Sequence, residues 1–352
     1  MSLRIVLTVD PYIPVPPRLY GGIERAVDVL VRGLVAHGHA VTLLAHPDSR
    51  TPARLRPYGR PPHQSRAARL GELWQVWSML GSLAASADVV HSFGRLAGLL
   101  PILPRRGLPK IQSYQRAIPW RGVRRAAALG GDSVAFTGCS TALYSAPPTG
   151  QAPGRWSTIY NPVSLGQYTP VLSVAPDAPL VFLGRVQPQK GPHDAIAIAR
   201  AAGRRLILAG NVEAEDRGYF EREIAPWLDG TTIRHVGPVD DAAKNALLGG
   251  AAAMLMPIGF DEPFGIVMAE AMACGTPVIA FRRGSVPEVV HDGVHGFVCR
   301  TVEEAAAAVG RLGRLDRAVV RRDCEARFGD GVIVAAYERL YDEMLTRTGA
   351  RR

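Results

Sequence analysis

The sequence predicts an α/β protein made of two Rossmann-like domains, each built on a parallel sheet. Three observations carry that prediction. The chain has 352 residues, which suits two cores better than one when a domain takes about 150 residues. Near its start, residues 4–9, a glycine turn at Gly21-Gly22, an apolar-striped segment and residues 40–45 read as strand, turn, helix and strand, whose crossover implies a parallel pair. From Leu180 the same order restarts, with a strand over 180–184, a polar loop over 185–191 and a helix after it.

In the first half, residues 10–20 form a proline-stiffened loop. Ile23, Ala26, Val27, Leu30, Leu34 and Val35 then make one apolar stripe at helical period. The glycine pair before that helix belongs at the carboxyl end of a strand, where ligands of parallel sheets gather. Residues 48–63 are rich in Pro and Arg and read as an irregular excursion. Residues 70–85 form an amphipathic helix whose Trp74 and Trp77 are expected in the core, with a membrane-facing edge as the second choice. Residues 87–94 are a strand ending in a small turn, which puts His91 at its carboxyl edge; a purely structural histidine is the plain alternative. Further strands are expected over 110–116 and 135–141. Ser140 lacks a glycine-bracketed elbow and an assignable base, so it is not read as a nucleophile. Asn161-Pro162 fixes a turn that closes this half.

Residues 164–178 carry Pro170 and Pro176 and read as a linker. Past the strand ending at Gly184, Arg185 and Lys190 sit five apart before a helix and suit a diphosphate: arginine grips through a planar fork and lysine acts as a point charge. The chain has only three lysines, Lys110, Lys190 and Lys244, so a lysine here is informative. Two exposed loop charges are the plain alternative. Residues 205–210 end in Gly210, and residues 233–239 end in Val239. A helix over 240–248 and a buried strand over 251–257 lead to Glu262. Pro263 and Gly265 break the loop, 266–274 are helix formers, Gly275 occupies the C-terminal cap position and Pro277 is a stop signal. The unpaired N–H groups near Gly265 and Ile266 offer a place for phosphate. Glu262, in the loop, and Glu270, inside the helix, can accept from different hydroxyls of one extended ligand. Ser285 and Glu288 fit a capping box, and 302–312 and 332–345 read as helices.

Charge is uneven along the chain. Through residue 150 there are 18 Lys+Arg against 7 Asp+Glu, a balance of +11, and the remainder has 23 against 24, or −1. Arg50, Arg54, Arg56, Arg60, Arg66 and Arg69 form one cluster, and Arg116, Arg121, Arg124 and Arg125 another. A solvated basic face and attraction to an anionic lipid surface or acidic acceptor both fit. Nucleic acid is disfavoured, because no recognised module or interleaved aromatic platform accompanies the arginines. Cys139, Cys274, Cys299 and Cys324 have neither metal-ligand nor disulfide-framework spacing and suit buried thiols in a reducing cytoplasm. No apolar run is long enough to span a bilayer, and the opening one is too short for a signal peptide.

The stretch Glu262-Pro-Phe-Gly-Ile-Val-Met-Ala-Glu270, with Cys274-Gly-Thr-Pro277 after it, resembles the glutamate, seven residues, glutamate motif of retaining glycosyltransferases of family 4. Gly184-Arg185, Lys190-Gly191 and Tyr20-Gly-Gly-Ile-Glu24 resemble the same family. The resemblance implies a GT-B fold, with two Rossmann-like domains facing across a cleft. Residues 1–163 would form the acceptor-side domain and 164–331 the nucleotide-sugar donor domain, with the last helix, 332–352, packing back on the first. It implies transfer of a sugar from a nucleotide diphosphate sugar to a hydroxyl of a lipid-linked glycan, surface polysaccharide or small natural product. Donor contacts fall on Gly21, Gly22, Gly184, Arg185, Lys190, Gly210, Val239, Glu262, Phe264, Gly265, Ile266 and Glu270. Catalytic roles fall on Glu262, Arg185, Lys190 and His91, the last on the acceptor side. No cofactor and no metal is expected. The family commonly has a His-x-His pair where this chain has His91 and Phe93. Two rivals are a nucleotide-sugar sensor or scaffold without activity, and another GT-B enzyme such as an epimerase. The expected location is the cytoplasm, with peripheral contact at an anionic membrane.

Overall fold

A computed structural model describes residues 2–18, 21–59, 66–148 and 150–350, and among them thirteen strands pair into two wholly parallel sheets. Tyr20 and Arg60, and the side chain of Arg66, lie outside the description. Contacts divide the chain into two units, Met1–Pro162 with Asp330–Arg352, and Val163–Gly329.

The first unit runs β1 (Arg4–Thr8), α1 (Gly22–Ala36), β2 (Ala40–Ala45), β3 (Arg54–Pro57), α2 (Arg66–Leu83), β4 (Val89–Ser92), β5 (Lys110–Tyr114), α3 (Trp120–Gly130), β6 (Val134–Gly138) and β7 (Arg155–Thr158). Its sheet has the order β3-β2-β1-β4-β5-β6-β7. The stretch read as an irregular excursion thus contains a strand. Leu43 pairs with Leu55 in the ladder, while Arg54 and Arg56 stay exposed on an edge, where charges discourage further pairing. Trp74 is also not in the core: it is 70% exposed on α2, and only Trp77 turns inward, its Nε1–H donating to the Ala97 carbonyl at 2.8 Å. Lys110 is buried without a carboxylate partner in its hydrogen bonds. Its ammonium caps the 3-10 turn Leu96–Ile102 by donating to the carbonyls of Ile102, Leu103 and Arg105, and burial lowers its pKa to about 8.

The second unit runs β8 (Leu180–Leu183), α4 (Pro192–Ala201), β9 (Leu206–Ala209), α5 (Arg217–Tyr219), β10 (Ile233–His235), α6 (Asp241–Gly250), β11 (Ala253–Met256), α7 (Ile266–Ala273), β12 (Val278–Phe281), α8 (Val286–Val289), β13 (Gly296–Cys299), α9 (Val302–Val309) and α10 (Arg317–Phe328). The sheet order is β10-β9-β8-β11-β12-β13. Helices α4 and α9 cover one face, with Ile196, Ile198, Ala305 and Val309 in the core cluster. Residues 164–178 do not hang free as a linker. Val171 N donates to Cys274 O at 2.9 Å, and Tyr168 is buried. Arg317 fastens the same segment: its guanidinium donates to the carbonyls of Val171, Ala251 and Gly249 and to Thr276 Oγ1. Burial lowers its pKa to about 10. Helix α7 closes as the sequence suggests, with Gly275 N donating to Met272 O and Thr276 N to Ala271 O, the two bonds of a Schellman end. The Ser285–Glu288 capping box does not form. Ser285 Oγ makes no hydrogen bond, and the main chain of Ser285 holds the Glu262 loop instead.

The last helix, α11 (Asp330–Arg347), belongs to the first unit. Its Ile333, Val334, Tyr337, Leu340, Tyr341 and Met344 recur every three or four residues and join Val27, Leu30 and Leu34 of α1 in one core. The two helices approach closely at Gly33, where a Cβ would overlap the Val334 methyls. The four cysteines are free and buried.

Candidate active site

In a parallel sheet, ligands gather where successive crossovers leave in opposite directions, because the two loops diverge and open a crevice. In the second unit that point lies between β8 and β11. The loop after β8 carries Lys190 and the loop after β11 carries Glu262. Lys190 Nζ donates to Glu262 Oε2 at 2.7 Å, with the side chains 20% and 13% exposed. Gly259 N donates to Gln189 O at 2.9 Å and ties the two loops together. The Phe260 ring lies 4.8 Å from the Lys190 ammonium. From the other side, Gly284 N donates to Asp261 Oδ1 at 3.1 Å and Ser285 N to Glu262 O at 2.9 Å. The loop carrying Glu262 is therefore held from both sides, while the Glu262 Oε1 is left for another donor.

Gly265 follows in the left-handed region at φ 70° and forms the N-cap of α7. That backbone conformation strains any L side chain, and a Cβ there would also lie 2.8 Å from the mobile terminal carbons of Met256 and Met268, so the turn favours glycine. The first N–H groups of α7, including that of Ile266, have no carbonyl within the helix to bind, and they suit an anion. Gly184, Gly210 and Val239 follow three adjacent strands, β8, β9 and β10. Gly184 N donates to Ala209 O at 3.0 Å, and Gly210 N to Gly237 O at 2.8 Å. Arg185 follows Gly184 directly and is half-buried.

Two donor-side residues occupy different positions from those expected. The Phe264 ring is 2% exposed and meets Phe328 edge-on at 5.5 Å, so its side chain belongs to the core. Glu270 is 4% exposed, and its Oε1 already accepts from Lys244 Nζ at 2.6 Å and Tyr168 OH at 2.7 Å. It anchors α6 and the 164–178 segment, and only Oε2 is left for a ligand. Sequence reading missed Lys244 and Tyr168; their burial partner lies many residues away, and no local pattern announces it.

In the first unit, Gly21 and Gly22 open α1, and Arg25 N donates to Gly21 O at 3.1 Å. His91 is a correction. It is 0% exposed, its Nδ1 is 2.7 Å from Tyr341 OH and its Nε2 is 2.7 Å from Ser113 Oγ. Burial pushes its pKa down to about 3, so the ring is neutral where it lies, and both its nitrogens are engaged within the core. Ser113 continues the chain of hydroxyls to Thr137 at 2.6 Å. The groups that do occupy the carboxyl edge of this sheet were not foreseen. Arg116, after β5, donates to Asp10 Oδ2 at 2.5 Å, and Arg95 N, after β4, donates to Asp10 Oδ1 at 3.0 Å. Glu24 on α1 is 8% exposed, and burial raises its pKa.

Among the described residues, His291, His295 and Asp323 form the one grouping with metal-like spacing. His291 N donates to His295 Nδ1 at 3.2 Å, so Nε2 carries the proton and donates to Asp323 Oδ2 at 2.6 Å. Neither ring nitrogen of His295 then has a free lone pair for an ion.

Two doubly wound parallel sheets, with a cation, a carboxylate and a helix start at the second unit's switch point, define an α/β protein suited to a phosphorylated ligand. Residues 21–148 match the family described as glycosyl transferase 4-like domain, and residues 173–316 match glycosyl transferases group 1, one match falling in each unit. The chain is similar to D-inositol 3-phosphate glycosyltransferase 2 of Catenulispora acidiphila, at 31% identity over 231 residues, or 58% of this chain and 54% of that protein. It spans only 36% to 54% of the length of such curated relatives. Among solved structures it is similar to AviGT4, a glycosyltransferase involved in avilamycin A biosynthesis, at 28% identity and a TM-score of 0.71, covering 98% of each chain. It shares the fold of Anabaena HepE, solved in complex with UDP-glucose, at 18% identity and a TM-score of 0.71, covering 98% of this chain and 100% of that one. The GT-B glycosyltransferase architecture of two parallel-sheet Rossmann-like domains is therefore the fold of this chain.

Proposed function

We propose that the chain is a retaining glycosyltransferase of family 4 that moves a sugar from a nucleotide diphosphate sugar to an acceptor hydroxyl without a metal ion. The observation that carries this reading is the Lys190–Glu262 pair at the β8/β11 switch point, beside the glycine-capped start of α7. Lys190, Arg185 and the Gly265–Ile266 N–H groups stabilise charge on the leaving diphosphate. Glu262 Oε1 accepts from a hydroxyl of the donor sugar, and Glu270 Oε2 from the ribose. The bond from the anomeric carbon to the phosphate oxygen breaks, and the acceptor oxygen bonds to that carbon on the same face. The hydroxyl proton passes to the departing phosphate, so no protein carboxylate becomes covalently attached.

Two cations and a helix start supply the positive charge that a metal would otherwise bring. No helix among the described residues is long and apolar enough to cross a membrane. Peripheral contact with an anionic surface is supported by exposed Leu70 and Trp74 beside exposed Arg69, and co-sedimentation with anionic vesicles tests it. The function itself is tested by thermal melting with UDP, GDP, dTDP and ADP and their hexose conjugates, in EDTA. A donor at about 100 times its dissociation constant adds roughly 2.7 kcal/mol of stability. Lys190→Ala and Arg185→Ala are expected to abolish the shift. Folded protein that shifts with none of these nucleotides overturns the reading. A shift without donor hydrolysis or transfer favours a sensor.

A further inference from the structure

The sheet of the first unit has its own switch point, between β1 and β4. The chain passes from β1 to β2 and β3 on one side, then crosses to β4 and continues through β5, β6 and β7 on the other. The loops after β1 and β4 therefore diverge and open a crevice at the carboxyl edge. Thr8 at the end of β1, Asp10 from the loop after it, and Gly94 and Arg95 from the loop after β4 line a cavity of about 370 Å³. That volume lies within the range of small-molecule sites, roughly 300–1,000 Å³.

The wall of the cavity is apolar. Leu73 and Val76 of α2 line it, exposed Leu70 sits at its rim, and Tyr12 and Tyr58 add two rings. Both phenol hydroxyls are already committed, Tyr58 OH to the Val9 carbonyl at 2.6 Å and Tyr12 OH to Glu72 at 2.8 Å, so it is the rings that these residues offer. The charged groups of the lining cancel. Asp10 and Glu72 are balanced by Arg69 and Arg95, and Asp10 is held by Arg116 at 2.5 Å and by the Arg95 N–H at 3.0 Å. Arg95 itself lies over the Tyr12 ring at 5.4 Å. The lining itself offers no excess of positive charge to a phosphate, and a free sugar would find little to satisfy its hydroxyls.

We infer that this cavity binds the acceptor, and that the acceptor places there a compact, uncharged apolar or aromatic group carrying a hydroxyl. The word acceptor rests on the glycosyltransferase reading; the cavity and its ligand chemistry do not. Asp10 and Thr8 supply the polar contact at the strand end, and the α2 side chains supply the burial. A small aromatic alcohol and a membrane-anchored prenol share this chemistry.

Calorimetry on the full chain, with 2-naphthol and with farnesol in mixed micelles as probes, tests the inference. Glucose and myo-inositol 1-phosphate serve as polar controls. The expected result is binding of an apolar alcohol that neither polar control displaces. Leu73→Trp, which fills the cavity from a half-buried helix position, should weaken it about tenfold or more. Tyr12→Ala, on a loop and 45% exposed, should weaken it about threefold and serves if Leu73→Trp fails to fold. Tighter 2-naphthol points to a soluble aromatic acceptor, and tighter farnesol to a membrane-anchored one. Equal affinity in wild type and both variants, or binding of the phosphorylated control alone, overturns the inference. Nucleotide-induced melting shifts run in parallel: their loss with 2-naphthol binding intact overturns the donor reading and leaves the cavity assignment standing.

Discussion

His91 and Glu262 both come from the carboxyl ends of parallel strands, but one is enclosed in the core of its unit and the other is held at an open switch point. His91 lies inside β4, in register with Leu7 on one side and Ile111 on the other. Its ring has to be satisfied by what packs on the sheet, which is Tyr341 of α11. Glu262 lies on a loop beyond β11, which ends at Met256, and Lys190 on a loop beyond β8, which ends at Leu183. A polar side chain within the ladder is consumed by the core, whereas one several residues past the strand end remains to meet a ligand. The chemistry of the two networks follows from that placement. Around His91 every partner is a hydroxyl, and burial raises Tyr337 to about 12 and Tyr341 well above the ordinary phenol value, so the network stays neutral. In the second unit the polar groups are opposite charges in contact, Lys190 with Glu262 and Lys244 with Glu270.

The largest effect that should follow is on Glu270. Glu270→Ala leaves Lys244 buried with Asp241 Oδ1 at 3.3 Å as its remaining carboxylate and strips Tyr168 of its acceptor. A loss of about 3–5 kcal/mol is expected from breaking a buried pair, read as a lower urea midpoint. A change under about 1 kcal/mol would show that this pair does not anchor the unit.

His91→Ala comes next, at about 2–4 kcal/mol for the lost volume and two broken hydrogen bonds, with the proposed transfer activity of the folded protein unchanged. A variant that melts like wild type but loses turnover would return His91 to the chemistry. The pH dependence gives a second check. With the folded pKa near 3 and the unfolded value near 6.5, the unfolded chain binds the extra proton between them. This contribution is fully present above pH 6.5 and is lost, at roughly 1.4 kcal/mol per unit, as the pH falls towards 3. Melting curves of His91→Gln should show a shallower acid limb over that window.

Gly265→Ala forces a Cβ against Met256 and Met268 at φ 70° and should cost about 1–3 kcal/mol while raising the donor KM. If stability falls but nucleotide affinity does not, the helix start is not where the phosphate sits. The smallest change in stability is expected for Glu262→Gln, about 1 kcal/mol or less, because the pair with Lys190 is partly solvated. Its transfer rate should nevertheless fall about tenfold or more, as for the loss of one charged hydrogen bond to substrate. Full transfer activity in that variant would remove Glu262 from the site.

Much of the fold is legible in the chain because it depends on neighbours. The apolar stripe of α1, the strand–glycine–helix order and the Gly275 end of α7 are all written within a dozen residues. Arg185, Lys190 and Glu262 are legible as polar loop residues after buried strands. Their neighbours explain no more than that. Strand β3 was hidden among arginines and prolines because an edge strand exposes half its side chains, and Trp74 looked like core because tryptophan usually is. The contact between Lys190 and Glu262, the burial of His91 and Phe264, and the gathering of Asp10, Arg95 and Arg116 were decided by tertiary structure. All of them depend on the order in which strands join a sheet and on which helix covers it. Crossovers spanning tens of residues set that order, and local periodicity does not record where they go.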